Sequence, residues 1–102
     1  MNWIDAGAAD ALGDGEAKSI FAGRRNIAVA RSGAAYYAIE DVCTHDGEPL
    51  TGGDIDGAQI ICPRHGARFC LRTGEALTPP AYEPVRTFEI KIENGRLWVR
   101  AD

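Results

Sequence analysis

Between Phe88 and Arg100 the chain reads Phe-Glu-Ile-Lys-Ile-Glu-Asn-Gly-Arg-Leu-Trp-Val-Arg, a stretch with little conformational choice. Apolar and charged residues alternate with the two-residue period of a half-buried strand. At the centre, Asn94-Gly95 supplies two residues that tolerate positive φ, as a type I′ hairpin turn requires. A two-residue turn there predicts the pairs Glu93–Arg96, Ile92–Leu97, Ile90–Val99 and Glu89–Arg100. Phe88, Ile90, Ile92, Leu97 and Val99 then share one apolar face, and opposite charges meet on the other.

Upstream, Ser19-Ile20-Phe21 and Asn26-Ile27-Ala28-Val29-Ala30 read as early strands, and Ser32-Gly33 as a turn into Ala35-Tyr36-Tyr37-Ala38-Ile39. Ala8 to Leu12 has room for a turn or two of helix at most. The expected class is all-β, an antiparallel sandwich or small barrel. With 102 residues, no repeat and no linker-like tract, the chain is expected to be a single domain over 1–102. From Ile39 to Thr87 the alternation weakens and glycines, prolines and both histidines collect, so function is expected in those loops.

The formal charge is −4, from 11 Lys and Arg against 15 Asp and Glu, which argues against a nucleic-acid partner. No apolar run approaches the roughly 20 residues that span a bilayer, so no membrane partner is expected. Met1-Asn2-Trp3-Ile4-Asp5 has neither a basic stretch nor an apolar one, which makes a cytoplasmic location the default expectation. Three cysteines, an odd number, fit metal binding or a free thiol better than a disulfide framework.

Cys43-Thr44-His45 is followed by 16 residues and then by Cys62-Pro63-Arg64-His65. Each segment supplies one thiol and one imidazole, which together use both histidines and two of the three cysteines. Thiolate suits an iron–sulfur cluster or zinc, and imidazole suits iron or zinc. Gly47, Gly52, Gly53, Gly57 and Gly66 surround the motif and let the backbone turn sharply and aim N–H groups at an anion. Cys43, His45, Cys62 and His65 are therefore the candidate metal and cofactor ligands. A Cys2His2 zinc-stabilised interaction domain would use the same donors, although common zinc modules keep two ligands of one kind in each knuckle. A catalytic Cys–His pair lacks an orienting third group and leaves the doubled motif unexplained, so no catalytic residue is assigned. Cys70, in the strand-like segment Ala67–Leu71, reads as a small buried hydrophobe rather than a fifth ligand.

Cys-x-His, a spacer of 16 and Cys-x-x-His resemble the Rieske iron–sulfur motif. The surrounding Cys62-Pro63-Arg64-His65-Gly66-Ala67-Arg68-Phe69 and Leu71-Arg72-Thr73-Gly74 are similar to bacterial Rieske-type ferredoxins of ring-hydroxylating oxygenase systems. That resemblance covers nearly the whole chain. It implies a β-sandwich with a two-loop cluster-binding tip and one [2Fe-2S] cluster, with Cys43 and Cys62 on one iron and His45 and His65 on the other. It also implies a one-electron carrier, working from a flavoprotein ferredoxin reductase to a terminal oxygenase by transient docking at that tip. The chain alone has neither a second two-His-carboxylate site nor a dinucleotide fingerprint, so it is not expected to be the enzyme. The alternative is a small Rieske subunit of a nitrite- or arsenite-type reductase.

Overall fold

The computed structural model describes residues 3–22 and 24–100, so the ends of the expected 1–102 domain lie outside the described residues. These form strands β1 (Trp3–Ala8), β2 (Ala17–Ala22), β3 (Arg25–Ser32), β4 (Ala35–Glu40), β5 (Ile55–Asp56), β6 (Gln59–Ile61), β7 (Arg68–Cys70), β8 (Thr87–Glu93) and β9 (Arg96–Arg100). One short 3-10 turn, Ala9–Ala11, stands where a helical turn was expected. Among the described residues no helix is long and apolar enough to cross a membrane.

The closing hairpin adopts the predicted register: Glu89 faces Arg100, Ile90 faces Val99, Ile92 faces Leu97 and Glu93 faces Arg96. Asn94 and Gly95 take φ of 53° and 76°, as the type I′ turn demands. Burial departs from expectation at one place, because Ile92 is 52% exposed while Leu97, opposite it, is buried. β9 lies between β1 and β8, whereas β8 meets β4 only near its start, through Ala38–Phe88 and Ile39–Thr87. The far end of β8 therefore has a paired strand on its β9 side only.

The larger sheet runs β1-β9-β8-β4-β3-β2, and β5-β6-β7 form a second, smaller one. All pairings are antiparallel. The six-stranded sheet curls until Ala6, Ala22, Ile27, Leu97 and Val99, from its two ends, share one apolar cluster. The result is the expected all-β class in its barrel-like form.

β3 is the strand on which both cores meet. Ile27 and Val29 point into the curl of the large sheet, while Ala28 and Ala30 face the small sheet alongside Ile39, Ile60 and Phe69. Cross-strand pairs alternate bulk, Ala28 beside Ile39 and Val29 beside Ala38. Small residues on one face admit the second sheet at close range. Cys43 and Cys62 belong to this second core, so the motif cysteines are packed into the fold rather than hung from it.

Candidate metal centre

Two loops carry the motif, one leaving β4 and one joining β6 to β7. They share a backbone design. The Cys43 N–H donates to the Glu48 carbonyl at 2.7 Å, and the Gly47 N–H returns to the Cys43 carbonyl at 2.7 Å. In the second loop the Cys62 N–H donates to Ala67 at 2.7 Å and the Gly66 N–H to Cys62 at 3.0 Å. Gly47 and Gly66 hold φ of 76° and 74°, a conformation that strains residues with side chains. Cys-x-His and Cys-x-x-His are thus two forms of one tight turn, with the cysteine at its start and a glycine four residues on.

The first loop has an anchor that the sequence reading passed over. Asp41 is buried, and its Oδ1 accepts the backbone N–H groups of Leu50 (2.8 Å) and Thr51 (2.9 Å), while Oδ2 accepts the Thr51 hydroxyl at 2.8 Å. One carboxylate fastens both ends of the segment that contains Cys43 and His45. The available signal was an Asp at a strand end ahead of a glycine-rich loop, a residue type that captures nearby backbone N–H groups. A third segment leans in as well, because the Thr44 hydroxyl donates to the Glu83 carbonyl at 2.7 Å.

The predicted residues converge, and they sort by kind. The thiols of Cys43 and Cys62 are 0% and 1% exposed and form a group with Asp46 in which donor atoms lie within 4.8 Å of one another. His45 and His65, both exposed, form a second such group with the same Asp46. The two imidazoles meet edge to face, with centroids 4.9 Å apart and planes at 82°. A tetrahedral Cys2His2 zinc would draw all four donors to within about 4 Å of one another. Thiols inside and imidazoles outside suit two metals side by side instead.

Burial pushes the Cys43 thiol up, and the backbone N–H groups of His45 and Asp46, aimed at its sulfur, work against that push. Two adjacent buried thiols become thiolates readily only beside a strong positive charge. A two-iron centre supplies that charge, and the turn N–H groups suit its sulfur-rich surface, so the donor set fits a [2Fe-2S] cluster.

Cys70 departs from expectation. It occupies a third copy of the turn, with its N–H donating to Glu75 at 2.9 Å and the Gly74 N–H returning to it at 2.7 Å. It is partly exposed rather than buried. The Thr73 hydroxyl, outweighing burial and helped by the N–H groups of Thr73 and Arg72, pulls its thiol below the usual range. In the cluster-loaded protein Cys70 should therefore be the thiol that iodoacetamide alkylates first, as read by peptide mapping. Labelling of Cys43 or Cys62 ahead of Cys70 would contradict this.

A two-sheet β scaffold that offers buried thiols and exposed imidazoles from matched turns defines a small iron–sulfur protein. The family description "Rieske [2Fe-2S] domain" matches residues 2–89. The chain belongs to the Rieske [2Fe-2S] family and carries one such cluster. It is 33% identical over 102 residues to the ferredoxin component of the naphthalene 1,2-dioxygenase/salicylate 5-hydroxylase systems of a Ralstonia species, covering 100% of this chain and 98% of that one. The ferredoxin of carbazole 1,9a-dioxygenase from Nocardioides aromaticivorans IC177 superposes with a TM-score of 0.95 at 26% identity, covering all of both chains. A second solved structure, a complex of reduced oxygenase and oxidized ferredoxin in carbazole 1,9a-dioxygenase, matches with a TM-score of 0.90 at 35% identity, covering 95% of this chain and 91% of that one.

Proposed function

We propose that Cys43 and Cys62 hold one iron of the cluster and His45 and His65 the other, and that the chain carries single electrons from a flavoprotein reductase to a terminal aromatic-ring oxygenase. The observation that carries this reading is the sorting of donors, with thiols buried in the second core and imidazoles at the surface. Relatives that match over nearly their full length are named as ferredoxin components of dioxygenase systems, which supports the carrier role over that of a reductase subunit. A ferredoxin–oxygenase complex among the structural neighbours supports an oxygenase as the electron acceptor.

When bound, the cluster supplies a one-electron couple. The rest falls to the chain. Cys43 and Cys62 bury the inner edge, and the first turn holds the His45 and Asp46 N–H groups against the Cys43 sulfur. His45 and His65 bring the outer edge to the surface, where their side chains are open to a partner. Around them, Gly47, Glu48, Pro49, Pro63 and Arg64 make a small exposed tip of mixed character. Such a patch suits a transient redox encounter, which buries less than about 1,200 Å². The purified protein should be reddish-brown and contain two irons and two acid-labile sulfides per chain, about the content of a single cluster. One zinc per chain and no colour would overturn the ligand assignment.

A further inference from the structure

The two cluster loops are joined by no disulfide, since Cys43, Cys62 and Cys70 are all free. A polar side-chain contact runs between them instead. Arg64 reaches across from the second loop, with Nε 2.6 Å from Asp46 Oδ2 and a terminal nitrogen 3.2 Å from Asp46 Oδ1. The fork is bidentate, the geometry in which an arginine–carboxylate pair is strongest and most directional. The pair lies at the surface, with side-chain exposures of 31% for Arg64 and 20% for Asp46.

Its placement distinguishes it from an ordinary surface pair. Asp46 follows His45 in the first loop, and Arg64 precedes His65 in the second. Asp46 is itself fixed by the turn, because Oδ1 accepts the Glu48 N–H at 3.0 Å and its own N–H donates to the Cys43 carbonyl at 3.2 Å. Asp46 therefore has little side-chain freedom left to lose when Arg64 arrives, which reduces the ordering cost that usually cancels a surface ion pair to that of the arginine. The carboxylate also lies within 4.8 Å of the thiol sulfurs and of the imidazole donors. Arg64 thus offsets a negative charge that would otherwise stand alone beside all four.

We propose that Asp46 and Arg64 are positioning residues forming a clasp that locks the two loops together at the imidazole edge, retarding cluster loss and fixing how His45 and His65 are presented. The inference rests on the ligand assignment above and adds to it two residues that touch no metal. Opening the clasp lets the loops part at their exposed end while both cysteines stay packed in the second core. The buried half of the site is then intact and the outer half is loose.

The test uses the cluster-loaded protein and the variants Asp46→Asn, Arg64→Gln, Arg64→Lys and the exchange Asp46→Arg/Arg64→Asp. Three quantities are read: the rate of bleaching in excess chelator, the midpoint potential, and the electron paramagnetic resonance of the reduced state. A clasp predicts that Asp46→Asn and Arg64→Gln both bleach about fivefold faster, the scale of one good ion pair. Arg64→Lys, which keeps the charge but not the fork, should fall between them and the parent. The exchange, which also gives up the bond from the Glu48 N–H, should bleach more slowly than either Asp46→Asn or Arg64→Gln and move the resonance line shape back toward that of the parent. Charge acting alone predicts something else. Asp46→Asn would then raise the potential and Arg64→Gln lower it, with bleaching rates unchanged or moved in opposite directions and no recovery in the exchange, and that pattern overturns the clasp. If the single variants fail to acquire the cluster, recovery of loading in the exchange supports the clasp and continued failure overturns it. A parent protein without two irons would instead overturn the ligand assignment, so the two failures are told apart by metal content.

Discussion

Replacing either His45 or His65 with alanine will strip the protein of its visible spectrum, while Cys70→Ser will leave that spectrum unchanged. The contrast follows from the sorting of donors. The two imidazoles face each other at 4.9 Å in an exposed group that contains no thiol, so each proposed outer ligand has only the other as a partner of its kind. Removing one opens a coordination position to water at the edge least protected by packing. Iron and sulfide content should drop below about a tenth of the parent value, because affinity at such a site depends on every ligand being present. Cys70 sits in the same kind of turn, yet its thiol engages Thr73 and lies outside both donor groups. Bleaching by Cys70→Ser together with a normal spectrum in His45→Ala would refute the assignment.

Asp41→Ala should be strongly destabilising although it removes no candidate donor and no apolar core side chain. Its buried carboxylate satisfies two backbone N–H groups and a hydroxyl, and alanine leaves the Leu50 N–H buried with nothing to accept it. Hydrogen bonds to a charged group contribute about 1.5–3 kcal/mol each, and they are not additive within one network. A net loss on the order of 3 kcal/mol is expected. For a domain of this size that lowers the thermal midpoint by about 12–24 °C. Asp41→Asn keeps an acceptor for the two N–H groups, and the Thr51 hydroxyl can turn to accept from the new amide, so it should lose far less. The measurement is thermal unfolding followed by loss of visible absorbance. An Asp41→Ala midpoint within a few degrees of the parent would show that the loop is held by other means.

Local pattern was enough to specify the closing hairpin. Asn94-Gly95 dictates the turn, the turn dictates the register, and the alternation around it agrees. The candidate donors were equally legible as a group that would converge, because a doubled pairing of thiol with imidazole at close spacing has few uses in chemistry. Other elements left no such mark. β1 was missed because its pairing with β9 is broken between Asp5 and Ala8, where Gly7 takes φ of 97° and interrupts the two-residue period. β5 and β6, of 2 and 3 residues, are too short to show a period at all. Their existence depends on the second core that Ile60 and Phe69 build against β3.

What the sequence by itself determined is the strand chemistry, the terminal turn and the set of candidate metal donors. Those properties reside in residue type and in spacing over a few positions. The tertiary structure alone decided that the thiols point inward and the imidazoles outward, that Asp41 organises a loop ending ten residues later, and that Asp46 meets Arg64 across a gap of 18 residues. Each of these is a contact between segments whose separation along the chain carries no periodic signal. They arise because burying the second core brings two similar turns to the same end of the molecule, and packing rather than local preference then sets which side chains meet.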